Sequence, residues 1–340
     1  MNSSEPVLSD WRDQALRLEH SINQTVVGQQ RAVRLLLIAV FARGHALLEG
    51  DVGVGKTTLL RALARGLGGA YSRAEGTIDL MPNDLIYHTY IDSDGQPRIE
   101  PGPLLQHAEQ LSIFFFNEVN RARPQVHSLL LRVMAERSAS AFNREYRFPH
   151  LLVFADRNRV EREETFELPS AARDRFLMEI LIELPDDPQI EEDLMFSPRF
   201  HDVETLIKQT PKAVLAYNEI NAIGRMIQST IQTTAPLRHY ALDLCRATHR
   251  PADFNVQLPE VDLAQLIQAG VSPRGMSYFM RAARVAAWLE ERDVVLPEDI
   301  HSVFVPTVAH RVFFNPVYEL RRSELAIQLL DQIVQQVAAP

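Results

Sequence analysis

The residues best suited to chemistry lie in one glycine-rich segment, Gly50-Asp51-Val52-Gly53-Val54-Gly55-Lys56-Thr57, with Thr58 directly after it. The segment fits the pattern G-x-x-x-x-G-K-S/T at every fixed position. In this pattern backbone N–H groups surround phosphate oxygens, and the lysine ammonium reaches the β and γ phosphates as a point charge. Only three of the 35 basic residues are lysines, so Lys56 indicates a need for a compact ammonium rather than a guanidinium. The segment predicts binding of a nucleoside triphosphate.

A strand and a helix are needed to hold this loop. Residues 45–49 form a short apolar run that is typical of a buried strand, and residues 57–67 have the pattern of a helix. A loop between a strand and a helix places bound phosphates at the positive N-terminus of the helix. The local pattern therefore supports the phosphate-binding interpretation.

A second polar group follows the strongly apolar run Ile113-Phe114-Phe115-Phe116 and consists of Asn117 and Glu118. The carboxyl ends of parallel strands are where α/β sheets bind ligands. Glu118 is predicted to orient and deprotonate an attacking water. Thr57 and Asn117 are the predicted ligands of Mg²⁺, and the site is expected to be weak because an amide offers only a neutral oxygen to a hard cation.

Composition and charge limit the class of protein. The chain has 340 residues, 46% apolar and 23% charged, which is enough for two domains with real cores. Its longest apolar run, residues 35–42, is too short to cross a membrane, and we expect a cytoplasmic location without a membrane span. Cys245 is the only cysteine, so an internal disulfide is excluded. The net charge of −9 disfavours non-specific binding of nucleic acid.

The predicted architecture has two domains. Residues 1–185 alternate strands with helices, which predicts an αβα sandwich around a five-stranded parallel sheet, with a hairpin at 88–99 and another at 139–148. Residues 186–340 are predicted to form an all-helical domain that ends in a helix at 323–337. The five strands are expected near 45–49, 71–75, 111–116, 151–155 and 177–183.

Several motifs, in order along nearly the whole chain, resemble the MoxR family of AAA+ ATPases. Besides the glycine-rich loop and Asn117-Glu118, the matching segments are Val26-Val27-Gly28-Gln29, Asp79-Leu80-Met81-Pro82-Asn83-Asp84, Pro101-Gly102-Pro103, Asn120-Arg121-Ala122, Ala155-Asp156-Arg157-Asn158, Asp174-Arg175-Phe176 and Ser272-Pro273-Arg274. The two predicted hairpins fall where the family carries its helix-2 insert and its pre-sensor-1 hairpin. The resemblance implies an AAA+ core followed by a helical lid.

The resemblance also implies roles for single residues. Val27 and Gly28 would contact adenine, and Asn158 would hydrogen-bond the attacking water or the γ-phosphate, although an asparagine at a strand end is by itself commonly a turn residue. Arg175 would reach the γ-phosphate of a neighbouring subunit, with Arg173 as a rival. Arg274 would reach the γ-phosphate from the lid.

What the family does supplies further expectations. The resemblance implies a chaperone-like maturation factor that uses ATP and Mg²⁺. It also implies assembly as a homo-oligomer, commonly a hexameric ring, and action together with a partner that carries a von Willebrand factor A domain. Asn117-Glu118 and Asp156-Arg157-Asn158 depart from the commoner family forms, Asp-Glu and Thr-Gln-Asn. These departures resemble the founding MoxR branch, which is associated with methanol dehydrogenase as the client enzyme.

Other functions remain open at the level of sequence. A GTPase is excluded because none of the three lysines lies in the guanine-binding pattern N-K-x-D. A nucleic-acid motor is one alternative, for which Arg98 and Arg144 on the predicted hairpins would supply positive charge. If the pore engaged a polypeptide instead, Tyr87 and Tyr90 would line it. A switch that binds nucleotide and hydrolyses little is the other alternative, for which Asn117 is the reason.

Overall fold

The computed structural model describes residues 5–158, 166–259 and 261–340, which form two compact units. The sheet unit comprises Asp13–Arg175 and Ile180–Asn221. The helical unit comprises the described residues up to Arg12, Phe176–Glu179 and Ala222–Pro340. Residues 186–221 thus lie in the sheet unit, beyond the boundary predicted at residue 185.

The strands agree with the sequence-based expectation to within a few residues. They are β1 His45–Glu49, β2 Ala70–Glu75, β3 Tyr87–Ile91, β4 Pro97–Pro101, β5 Leu111–Asn117, β6 Ser138–Ala141, β7 Arg144–Arg147, β8 Leu152–Arg157, β9 Phe176–Leu181, β10 Ile267–Ala269 and β11 Phe313–Phe314. Five of them form the predicted parallel sheet in the order β2-β5-β8-β1-β9. The pairs β3–β4 and β6–β7 are the two predicted hairpins.

Helices cover the sheet and build the helical unit. The α-helices are α1 Glu5–Thr25, α2 Gln30–Phe41, α3 Lys56–Leu67, α4 Pro82–Ile86, α5 Pro124–Glu136, α6 Ser170–Arg173, α7 Pro188–Phe196, α8 Val203–Gln209, α9 Ile220–Thr230, α10 Ala235–Ala247, α11 Leu263–Leu266, α12 Pro273–Leu289, α13 Pro297–Val308 and α14 Arg322–Gln336. The predicted C-terminal helix is confirmed, and its apolar side chains, such as Leu325 and Leu329, are buried.

Among the described residues after 185, helices predominate and β10 and β11 are the only paired strands. β10 and β11 pair through Ile267 with Phe314 and Ala269 with Phe313. Strands of three and two residues are too short to leave a period-two pattern, so the expectation of an all-helical domain missed them.

The register of the sheet brings polar residues to one edge. All seven residues of β5 are buried, which explains its continuous apolar run. Asn117 lies opposite Glu75 on β2, and Phe116 lies opposite Ala155 on β8. On the other side of β8, Asp156 lies opposite Leu48, close to the end of β1. The residues that follow β1, β5 and β8 therefore meet at the carboxyl edge of the sheet.

Candidate nucleotide-binding site

The loop after β1 has the backbone geometry of a phosphate-binding nest. Gly53 and Gly55 have φ angles of 86° and 89°, which L side chains rarely adopt. A Cβ on Gly50 would lie 2.3 Å from the carbonyl oxygen of Ile182, so this position allows a close approach of two backbones. α3 begins at Lys56 immediately after Gly55. The predicted order of strand, loop and helix is confirmed.

The Lys56 side chain is buried and surrounded by oxygens. Its Nζ donates hydrogen bonds to the carbonyl oxygens of Gly50 (2.6 Å) and Asp51 (3.2 Å), and to Oδ1 of Asn158 (2.8 Å). It also lies 3.4 Å from Oδ2 of Asp156. A buried ammonium needs such partners, because burying an unpaired charge is costly. The contacts fix the ammonium over the loop that would hold phosphates.

Glu118 has a backbone conformation that is uncommon for a residue with a side chain. Its φ and ψ angles are 51° and 49°, in the left-handed region. The backbone N–H donates to Oδ1 of Asp156 at 2.6 Å, which holds this conformation. The carboxylate accepts hydrogen bonds from Nδ2 of Asn158 (3.3 Å) and from Arg121 (3.0 Å). The structure thus brings Glu118 and Asn158 together, as the sequence-based roles require.

Asn117 is buried and its amide has a partner that the sequence did not indicate. Nδ2 donates to Oε1 of Glu75 at 2.7 Å, so the side-chain amide oxygen, Oδ1, is the atom of Asn117 that remains for a ligand. The sequence did not identify Glu75 as a site residue, because its contact with Asn117 depends on β2 lying next to β5 in the sheet. Being the last residue of β2, it could have been found once β2 was paired with β5.

The available donors fit a magnesium ion held mainly by phosphates and waters. Thr57 offers a hydroxyl, Asn117 an amide oxygen and Glu118 a carboxylate, and oxygen donors are what Mg²⁺ prefers. No group of three or more His, Cys, Asp or Glu side chains suited to a metal occurs in the part of the chain that the structure describes. A dedicated cage made of protein ligands is therefore not present among those residues.

Asp156 is a further site residue, for which the sequence predicted no role beyond its place in the segment Ala155-Asp156-Arg157-Asn158. The residue is 1% exposed, and its side chain links Lys56 to the backbone of Glu118. Burial raises the pKa of this carboxyl, while the Glu118 N–H and the Lys56 ammonium oppose the rise. An acidic residue inside an otherwise apolar strand was the signal that could have identified it.

The segment predicted to contact adenine lies beside the phosphate loop. Cγ1 of Val26 would lie 3.7 Å from a Cβ on Gly55. Gly28 has a φ of 76°, and a Cβ there would meet the Pro185 ring at 2.3 Å. Gln29 donates to the Glu183 carbonyl at 2.6 Å, which anchors the segment. The base contacts of Val27 and Gly28 stay a prediction.

The three predicted arginines lie in different surroundings. Arg175 is half-buried and donates to the carbonyl of Ala171 at 2.8 Å, whereas Arg173 is buried. Both belong to the sheet unit. Arg274 is exposed in the first turn of α12, in the helical unit, where Ser272 caps the helix by accepting from the Gly275 N–H at 3.0 Å. Their contacts with a γ-phosphate stay predictions.

Comparison with known proteins gives the class. Residues 45–178 match the family model described as the ATPase family associated with various cellular activities, and residues 262–333 match the AAA lid domain. The crystal structure of a "putative ATPase" from Cytophaga hutchinsonii superposes with a TM-score of 0.84 at 28% identity, and the match covers 99% of this chain and 98% of that one. The fold and the site define an AAA+ ATPase.

Two relatives narrow this class further. The chain is 59% identical to Protein MoxR of Methylorubrum extorquens over the full length of both chains. It is 31% identical to Chaperone MoxR1 of Mycobacterium tuberculosis, over 94% of this chain and 80% of that protein. The chain belongs to the MoxR family of AAA+ ATPases. Among the residues described, no helix is both long and apolar enough to span a membrane.

Proposed function

We propose that this ATPase couples binding and hydrolysis of ATP with Mg²⁺ to chaperone-like maturation of a client enzyme, including metal or cofactor insertion, and that the client is methanol dehydrogenase. The observation that carries the proposal is the full-length, 59% identity to a Protein MoxR. The hydrogen-bonded group formed by Lys56, Glu118 and Asn158 supports the hydrolytic part.

The site residues have complementary roles in this proposal. Lys56 neutralises the β and γ phosphates, and the nest formed by the loop binds them through backbone N–H groups. Glu118 accepts a proton from the attacking water, and the Asn158 amide, within reach of both Glu118 and Lys56, orients that water or the γ-phosphate. Magnesium, when bound through Thr57 and Asn117, would neutralise charge on the phosphates.

The assembly is part of the proposal and is supported by the membership of the MoxR family. We propose a cytoplasmic ring of six copies that works with a von Willebrand factor A domain protein. Arg175 is the better candidate for the residue acting on a neighbour, because a trans contact needs an accessible guanidinium and Arg173 is buried.

The two hairpins supply a surface for a polypeptide client. Tyr90, Ile91 and Ile99 on β3 and β4 are 50%, 75% and 56% exposed, and Phe142 at the tip of the β6–β7 hairpin is 54% exposed. Tyr87 packs against Phe142 with ring centroids 4.7 Å apart, which joins the hairpins. Exposed apolar side chains favour a polypeptide over nucleic acid as the ligand of this surface.

Slow turnover is a second candidate, favoured by one observation. β5 ends in Asn117, a neutral ligand, where P-loop ATPases usually carry aspartate, and the Asn117 amide nitrogen donates to Glu75. A nucleotide that persists would hold a partner in one conformation, and the protein would act as a switch.

Complementation tests the proposal and separates the two candidates. A Methylorubrum extorquens strain without its own Protein MoxR would receive the wild-type chain or Glu118→Gln, and methanol dehydrogenase activity would be measured against the amount of its polypeptide. The maturation proposal expects wild type alone to restore activity per polypeptide. Full complementation by Glu118→Gln would favour the switch, and failure of wild type, with the protein present at normal level, would contradict the assigned client.

A further inference from the structure

A buried carboxylate that pairs with Lys56 of the phosphate loop is on an unexpected strand. β5 ends in the neutral Asn117, while the neighbouring β8 carries the buried Asp156. The two strands are adjacent in the sheet, with Phe116 opposite Ala155. The negative charge is therefore displaced by one strand towards β1 and Lys56.

The two oxygens of Asp156 serve different parts of the site. Oδ1 accepts the Glu118 N–H at 2.6 Å, and Oδ2 lies 3.4 Å from the Lys56 ammonium. Lys56 also donates to Asn158, which in turn donates to Glu118. Asp156 thus contacts both ends of a closed group of hydrogen bonds made by residues with proposed roles in ATP hydrolysis.

Burial makes this charge effective. The Asp156 side chain is 2% exposed, so its carboxylate is screened little by water and its field at Lys56 is larger than that of a surface residue. A charge of this kind, placed beside a magnesium–phosphate site, favours a bound cation and orients the lysine.

We propose that Asp156 is a positioning residue that supplies, from β8, the negative charge that Asn117 lacks on β5. It sets the place of Lys56 and the backbone of Glu118, and it favours the binding of Mg²⁺ together with ATP. This inference rests on the proposed ATP binding, and it identifies which carboxylate makes a site with Asn117 workable.

A purely structural role can be separated from an electrostatic one. In Asp156→Asn the side-chain oxygen still accepts the Glu118 N–H, but the charge is gone. If Asp156 only holds Glu118 in its left-handed conformation, this variant binds nucleotide with the magnesium dependence of wild type.

The experiment measures binding of a fluorescent, non-hydrolysable ATP analogue to the full chain while Mg²⁺ is titrated. We expect Asp156→Asn to need about tenfold more Mg²⁺ for half-maximal binding, as is typical when an outer-shell partner of a metal site is lost. The double variant Asn117→Asp/Asp156→Asn should return to within about threefold of wild type. An unchanged Mg²⁺ requirement in Asp156→Asn, or a double variant no better than the single one, would overturn the inference.

Two further variants keep the test decisive. Asp299→Asn is the matched control, since Asp299, like Asp156, is a buried carboxylate with a cationic partner, here Arg292, and lies in the helical unit. Its magnesium dependence should equal that of wild type. If Asp156→Asn does not fold, Asn117→Asp alone decides. Because Asp156 already supplies the negative charge, Asn117→Asp should lower the Mg²⁺ concentration for half-maximal binding by at most about threefold. A gain of tenfold or more would refute the role of Asp156.

The outcome also distinguishes this inference from the proposed function. Wild type that does not bind the analogue contradicts ATP binding and the inference together. Wild type that binds, with Asp156→Asn unchanged, contradicts the inference alone. Hydrolysis and the client do not enter the measurement.

Discussion

At the scale of residues, the type of cation at position 56 is decisive because its space is small and lined with oxygens. The ammonium has partners at 2.6, 2.8 and 3.2 Å that converge on one nitrogen. A guanidinium spreads its charge over a plane and cannot place one nitrogen among them. This geometry explains why an arginine-rich chain has a lysine here.

The first prediction follows from that geometry. Lys56→Arg should weaken ATP binding by at least about tenfold, equivalent to about 1.4 kcal/mol, and nearly as much as Lys56→Ala. Titration of a fluorescent ATP analogue measures the effect. Lys208→Ala is the control, because Lys208 is an exposed lysine in the last turn of α8. Wild-type affinity in Lys56→Arg would show that position 56 needs only a positive charge.

At the scale of elements, the sequence was informative where a segment is buried as a whole. The run ending in Phe114-Phe115-Phe116 predicted β5, and the glycine pattern predicted the loop, because local chemistry determines both. Glu75 and Asp156 were not recognised as site residues, because their contacts depend on β5 lying between β2 and β8. Strand order is a long-range property that periodicity does not encode.

The element after β5 is tied to α5 by a buried histidine, which gives a pH prediction. His127 donates through Nε2 to the carbonyl of Val119 at 2.7 Å, and Nδ1 is buried without a hydrogen-bond partner among the described residues. Burial lowers the pKa of His127 below its ordinary value of 6.5. Its neutral form is therefore favoured by folding. The stability that this provides is present above pH 6.5 and is lost as the pH falls through the lowered pKa.

Thermal unfolding at pH 7.5 and at pH 5.5 measures this dependence. His127→Gln should lose less stability on acidification than wild type, because the group that must take up a proton is gone. His239→Gln, at an exposed histidine on α10, should lose as much as wild type. Equal losses in all three proteins would mean that His127 does not contribute.

The packing of α14 gives a stability prediction for the helical unit. Leu329 is fully buried, whereas Ile327 on the same helix is 39% exposed. Leu329→Ala should lower the free energy of unfolding by about 3 kcal/mol, and Ile327→Ala by less than about 1 kcal/mol. The chain's two tryptophans, Trp11 and Trp288, both lie in this unit, so their fluorescence during urea unfolding reports on it. Equal losses in the two variants would contradict the docking of α14.

At the scale of the whole molecule, the proposed ring has active sites completed by two copies. One copy would supply Lys56, Glu118 and Asn158, which the structure holds together, and its neighbour would supply Arg175. Such a site fails if either contribution is lost, but the two losses are in different subunits. Activity per subunit should therefore rise with protein concentration as rings assemble.

Mixing two inactive variants tests this arrangement directly. Glu118→Gln and Arg175→Ala should each bind the ATP analogue as wild type does and each hydrolyse ATP at least about 10²-fold more slowly. In a mixture, some interfaces combine an intact Glu118 from one copy with an intact Arg175 from the next, so steady-state hydrolysis should reappear. The same experiment with Arg173→Ala tests the rival arginine: if Arg173 acts on the neighbour instead, Arg173→Ala is inactive alone and regains hydrolysis when mixed with Glu118→Gln. A mixture that stays inactive although mixed rings form would place Arg175 in the same site as the Glu118 of its own chain, and full activity of Arg175→Ala alone would remove it from the mechanism.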